Sequence, residues 1–156
     1  MIIRILGVGE TKLSYLKEGE ADYLKRIAHY VQLRSEWLKA PKLGKKETPD
    51  QIKKKEAEIL ASRLTHKAFL IALDVSGEPV SSEQFSEHLS DWMTTGVREL
   101  VFVIGGPYGL DSSILQKADW ILSLSRMTFT HDMTRLILLE QIYRGLTILK
   151  GEKYHK

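Results

Sequence analysis

The chain has 156 residues and no cysteine, which excludes disulfides, thiolate catalysis, iron–sulfur clusters and Cys-ligated zinc. Its formal charge of +3 permits a polyanionic partner without demanding one. The length is that of one domain, no apolar run approaches the ~18 residues of a membrane span, and the opening apolar stretch contains Arg4 and lacks a signal-cleavage pattern, so a cytoplasmic protein is expected.

Residues 2–8 have strand composition, and Gly7-Val8-Gly9 closes them with a turn. Between Leu13 and Tyr30, Leu16, Ala21, Leu24, Ile27 and Ala28 recur at helical spacing. Residues 31–38 alternate with period two, the mark of a half-exposed strand at an edge. Residues 39–47 carry Lys39, Lys42, Lys45 and Lys46 with Pro41 and Gly44. They read as a flexible loop, either merely solvated or a phosphate-contacting arm. Thr48-Pro49 then opens a helix with a cap and a proline in its first turn, and Ile52, Glu56, Ile59, Leu60 and Leu64 mark its length.

Residues 67–75 form a buried strand ending at Asp74-Val75-Ser76-Gly77. Ser81-Ser82-Glu83-Gln84 starts a helix whose Phe85, Leu89, Trp92 and Met93 share a face until Gly96 ends it. Residues 100–104 are a dense β-branched and aromatic run, a strand buried on both faces that stops at Gly105-Gly106-Pro107-Tyr108-Gly109. Asp111-Ser112 caps a short helix, and residues 120–124 are a further strand. An amphipathic helix from about His131 to Leu149 precedes the tail, residues 152–156. Strand and helix alternate throughout, which predicts an α/β fold with a mainly parallel sheet flanked by helices.

In such sheets ligands settle beyond the carboxyl ends of the strands. Three of those ends, Leu73-Asp74, Ile104-Gly105-Gly106 and residues 124–129, would form one pocket if their strands are neighbours. The double glycine serves either a tight turn or a close backbone approach to a ligand. Neither G-x-G-x-x-G nor G-x-x-x-x-G-K-[ST] occurs, so a ligand should be held mostly by backbone and apolar walls. His131 and Arg135 stand four apart on one helix face, without the second ligand that a metal site needs. His29, His66 and His88 read as structural, and composition alone leaves the tail with Tyr154 and His155 disordered.

Taken together, these residues resemble the RlmH family, small SPOUT-class methyltransferases that act on a pseudouridine of bacterial 23S ribosomal RNA. The resemblance runs from Gly7-Val8-Gly9 through Leu73-Asp74 and Gly77 to residues 103–110 and 122–129. It continues through Arg135 and Glu140-Gln141-Ile142-Tyr143-Arg144 to Tyr154-His155-Lys156. The double-glycine loop, the Ser-x-Ser-x-Met-Thr-Phe segment from Ser123 to Phe129 and the Tyr-His tail carry it most specifically. One position departs, since Thr130 stands where the family usually has proline; a threonine can still cap the helix that follows.

The resemblance implies a carboxyl-terminal trefoil knot, a working homodimer, and S-adenosylmethionine as cofactor, with neither metal nor membrane involved. Carried over residue by residue, the cofactor contacts fall on Leu73, Gly105, Leu124, Ser125, Arg126, Met127, Thr128 and Phe129. The implied reaction is methylation of N3 of pseudouridine 1915 in 23S ribosomal RNA, within the large subunit or the assembled ribosome. For that chemistry Arg135 is expected beside the developing imide anion, His131 or His155 as the base, and Tyr154 as the residue that orders the tail over the target. The RNA site would be composite across the dimer, with the tail ordered against the partner. A non-catalytic RNA- or ribosome-binding factor on the same fold is the alternative. Both readings engage a polyanion through Lys42, Lys45, Lys46 and Lys153, and only the enzyme requires the cofactor. A nucleotide-dependent oxidoreductase has the missing dinucleotide fingerprint against it.

Overall fold

The computed structural model describes residues 1–44 and 46–154. In chain order these form β1 (Ile2–Val8), α1 (Ser14–Ile27), β2 (Gln32–Leu38), α2 (Pro49–Ala61), β3 (Phe69–Pro79) and α3 (Ser82–Thr94). After them come β4 (Glu99–Ile104), α4 (Ser112–Leu115), β5 (Trp120–Ser123) and α5 (His131–Leu149). The strands make one sheet in the order β2-β1-β4-β3-β5, and every pair is parallel.

The alternation of side chains explains why both faces are covered. On β4, Leu100, Phe102 and Ile104 join Ile3 and Ile5 of β1 in a core closed by Phe85 and Leu89 of α3 and Leu138, Leu139 and Ile142 of α5. Val101 and Val103 point the other way, with Leu6 and Val8, against Ala57 and Leu60 of α2 and Ile114 of α4. Two-sided burial is why β4 reads as an unbroken apolar run, while β2, at the edge, alternates.

Helix starts follow local chemistry. Thr48 and Ser81 each close a capping box, with Gln51 and Gln84 respectively, and Asp111 and Thr130 cap α4 and α5 through Ser113 N–H and Met133 N–H. Among the described residues no helix is long and apolar enough to cross a membrane.

Three expectations need correction. The first helix ends at Ile27 rather than Tyr30, because the Tyr30 amide donates to Ile27 O in a closing turn. The second buried strand runs on to Pro79, because β5 pairs with it in two registers, Leu73 and then Glu78 both opposite Leu122. The intervening residues loop out, and Gly77 rejoins so closely that a Cβ would lie 2.6 Å from Ile121 O. The tail is not disordered over residues 152–154. Glu152 N–H donates to Thr147 O at 2.9 Å, Tyr30 Oη donates to Glu152 Oε2 at 2.7 Å, and Tyr154 packs on α5. Lys45 and His155 lie outside the described residues.

Candidate active site

Because β4 lies between β1 and β3, and β5 beside β3, the carboxyl ends of β3, β4 and β5 are neighbours and enclose a cavity of about 730 Å³. Leu73, Gly105, Leu124, Ser125, Met127, Thr128 and Phe129 line it, as does His131; Arg126 is exposed on the same segment and is not part of the wall. One side of the cavity is a backbone turn. Gly109 N–H donates to Gly106 O at 3.0 Å around Pro107 and Tyr108, and Gly109 has a φ of +81°. A Cβ on Gly105 would stand 2.5 Å from the Gly109 carbonyl carbon, so the turn closes only over a glycine. Ser125 Oγ accepts from Met127 N–H at 2.9 Å, while Ser123 Oγ donates to Ser125 O, two bonds that turn the segment lining the cavity back on itself.

The volume and the glycine-cradled, mainly apolar walls suit a nucleoside-sized ligand held by backbone groups. Val75, Tyr108, Met127 and Phe129 are large apolar side chains exposed at this one cavity, Met127 by 73%. Such a concentration marks a surface that something covers.

His131 opens α5 at the cavity wall, half-buried. Burial pushes its imidazole below the usual 6.5; Asp132 opposes that shift, and Arg135 and Lys12 add to it. The ring is therefore neutral near pH 7. Asp132 Oδ1 lies 3.2 Å from both His131 Nε2 and Arg135 Nη1 without hydrogen-bond alignment, an ionic contact to the arginine alone while the imidazole is neutral, and Asp132 Oδ2 accepts from Lys12 N–H.

Arg135 is not brought to the cavity. Its side chain is fully buried at the end of β1, donating to Val8 O at 2.9 Å, Gly9 O at 2.8 Å and Thr11 Oγ1 at 3.0 Å. The guanidinium lies 4.1 Å from the Trp37 ring centre, and Thr11 passes the contact on to the buried Glu20. His131 and Arg135 stand four positions apart on the helix, with Asp132 touching both, yet of the two only the histidine lines the cavity.

Tyr154 also lies away from the cavity. Its hydroxyl lies 3.1 Å from Tyr23 Oη and donates to Glu140 Oε1 at 3.2 Å, and its ring meets Tyr143 edge-on. Arg144 binds the same Glu140 oxygen and covers the Tyr154 ring at 4.9 Å. Burial, with Tyr23 and Glu140, holds the Tyr154 phenol far above its ordinary range, so it stays protonated. Glu140 lies about 13 Å along the helix axis from His131.

The family described as "Predicted SPOUT methyltransferase" matches residues 1–155. The chain belongs to the SPOUT methyltransferase family. Within it, the ribosomal RNA large subunit methyltransferase H of Desulfotalea psychrophila is 47% identical over 153 residues, 97% of each chain. The protein of the same name from Carboxydothermus hydrogenoformans is 43% identical over 159 aligned positions and is covered end to end. A solved probable methylase family protein from Haemophilus influenzae Rd KW20 superposes with a TM-score of 0.54 at 15% identity, across 99% of this SPOUT chain and 70% of that one, a likeness of fold.

Two features escaped the sequence reading, one at the tail and one at the cavity. Val75 and Tyr108 belong to its rim, and their signal was there: both are large apolar residues in turns that offer them no core. Arg144 is the arginine beside Tyr154, and nothing in the spacing of the two foretold it, since the chain doubles back at Gly151. Among the described residues no three acidic or histidine side chains gather as metal ligands do.

Proposed function

We propose that this chain is an S-adenosylmethionine-dependent ribosomal RNA methyltransferase that methylates N3 of pseudouridine 1915 in 23S ribosomal RNA, on the large subunit or the assembled ribosome. One observation carries the reading: the backbone-walled cavity at the tips of β3, β4 and β5, with a neutral imidazole on its wall, in a chain so similar to proteins named for ribosomal RNA methylation. When bound, S-adenosylmethionine supplies a methyl group activated by its sulfonium. Leu73, Gly105, Leu124, Ser125, Met127, Thr128 and Phe129 would hold it, with Arg126 at the outer edge of the same segment. Apolar walls exclude water, and the glycine turn brings backbone groups within reach of an adenine edge.

The residues of the chain have a second task. N3 of the target base carries a proton that must leave as the new N–C bond forms. His131, neutral at pH 7, takes it; Asp132, 3.2 Å away, then balances the imidazolium, and Arg135 keeps Asp132 in place. In this reading Arg135 is a positioning residue, and His155 is the other candidate base.

The reading includes a homodimer. Leu13 and Tyr15 are exposed beside α5, whose Met133 and Ile137 are half-exposed, an apolar face that a second copy would cover. Tyr154 and Arg144 of that copy would complete the RNA site. The trefoil knot belongs to the same reading and is supported by the match to the SPOUT family. A net charge of +3 favours a target recognised in its ribosomal setting, in the cytoplasm, over naked RNA.

Tritiated methyl transfer to ribosomes, large subunits and bare ribosomal RNA lacking the modification tests this. Incorporation at one pseudouridine, strongest on ribosomes, is the expected result. Calorimetry with S-adenosylmethionine separates the enzyme from a non-catalytic binding factor: no heat at millimolar cofactor, in folded protein, favours the latter.

A further inference from the structure

The carboxylate of Glu56 sits where helix α2 packs on the sheet, beside an apolar layer that includes Leu6, Val8, Ala57, Leu60 and Val103. It is 5% exposed, and among the described residues no cation pairs with it. Among the described residues its hydrogen-bond partner is the backbone: Gly106 N–H donates to Glu56 Oε2 at 3.3 Å. Burial raises the Glu56 carboxyl above its ordinary range, with the Gly106 amide acting against the shift. A carboxylate in such a place is costly unless its position is needed.

The two residues are fitted to each other. A Cβ on Gly106 would run into both carboxylate oxygens of Glu56, so the glycine is bare on the side where the carboxylate lies. Gly106 O in turn accepts from Gly109 N–H, and Gly106 pairs with Gly109 in an isolated antiparallel bridge. One helix side chain therefore fixes, from behind, the turn whose other surface walls the cavity; Glu56 itself does not line it.

We infer that Glu56 is a positioning residue for the donor pocket: it pins the Gly105–Gly109 turn through the Gly106 amide and so sets the affinity for S-adenosylmethionine. This rests on the reading of the cavity as the donor site. Glu56→Ala frees the amide and opens space behind the turn. The Kd for S-adenosylmethionine should rise about tenfold, the loss of roughly one charge-assisted hydrogen bond, while kcat at saturating cofactor stays within about twofold. Glu56→Gln keeps an acceptor in the same place and should restore binding to within about threefold. Glu56→Asp, one methylene short, should not.

In the ligand-free protein, hydrogen exchange at the Gly106 amide should be faster in Glu56→Ala and Glu56→Asp and near wild type in Glu56→Gln. This readout needs no cofactor. Folded Glu56→Ala with wild-type Kd and wild-type exchange at Gly106 would overturn the assignment. If Glu56→Ala does not fold, the Asp and Gln variants decide: equal binding and equal exchange in both overturn it, and rescue by Gln alone supports it. Wild-type protein that does not bind S-adenosylmethionine would refute the donor-site reading instead, and the exchange pattern would still settle whether Glu56 holds the turn.

Discussion

The two ends of the sheet's carboxyl edge are built on opposite plans. At the tips of β3, β4 and β5 the wall is backbone and apolar side chain, closed by glycines and partly open to solvent. At the tips of β1 and β2 a fully buried arginine satisfies three acceptors, meets Asp132 and lies over Trp37, and a Cβ on Gly7 would press on that ring at 3.0 Å. The first turn of α5 reaches both. A charged residue near a functional edge is therefore not thereby a catalytic one; what decides is whether its polar atoms are already committed. Those of Arg135 are, apart from Nε, whereas His131 lines the cavity with its Nε2 3.2 Å from Asp132 Oδ1.

The largest effect expected is at the committed end. Arg135→Leu strands Asp132, Thr11 and the Val8 and Gly9 carbonyls in a buried place, so stability should fall by about 3–5 kcal/mol. Denaturant unfolding measures it. A variant with the wild-type midpoint that loses only rate would return Arg135 to the chemistry and break the contrast. At the open end, Gly105→Ala sets a methyl group against the Gly109 backbone, which can make room only by moving the turn. Affinity for S-adenosylmethionine should drop on the order of 100-fold, read by calorimetry, since misplacements of an ångström or less matter at such sites.

His131→Gln should keep cofactor affinity and lower kcat about 100-fold. The pH profile sharpens this. Because the folded imidazole titrates below 6.5, the wild-type rate should hold as pH falls to 6.5 and decline only below it, and the variant should lack that limb. Stability has the matching sign: below pH 6.5 the unfolded chain takes up the proton first, so the His131 contribution is lost as pH falls toward the folded value. An acidic limb unchanged in His131→Gln would move the base to another residue.

What the sequence made legible was local. Thr48, Ser81, Asp111 and Thr130 cap helices through amides two or three residues away, and that spacing is visible in any linear reading. The run at residues 100–104 announced a two-sided strand, and the three tips did converge once β3, β4 and β5 proved adjacent. The hydrogen-bond acceptors of Arg135 lie 124 to 127 positions away, so its spacing from His131 showed a shared helix face and hid the divided surroundings. Glu56 read only as a helix position, because Gly106 is 50 residues distant. The tail failed for the same reason: its composition promised no core, and the aromatic surface that receives Tyr154 is assembled from α1 and α5.

The smallest expected effect concerns that surface. Tyr154→Phe keeps the ring against Tyr143 and under Arg144 but removes the hydroxyl that meets Tyr23 and Glu140. One partly buried hydrogen bond of this kind contributes about 1 kcal/mol, so the melting temperature should fall by only a few degrees. Because the cluster lies apart from the cavity of the same chain, affinity for S-adenosylmethionine should not change. If the tail completes the partner's RNA site, methyl transfer to ribosomes should nevertheless weaken through KM for the ribosome. A Tyr154→Phe protein with reduced cofactor affinity would contradict the separation of the tail cluster from the pocket, and one with unaltered KM would leave this hydroxyl a purely structural tie between α1 and α5.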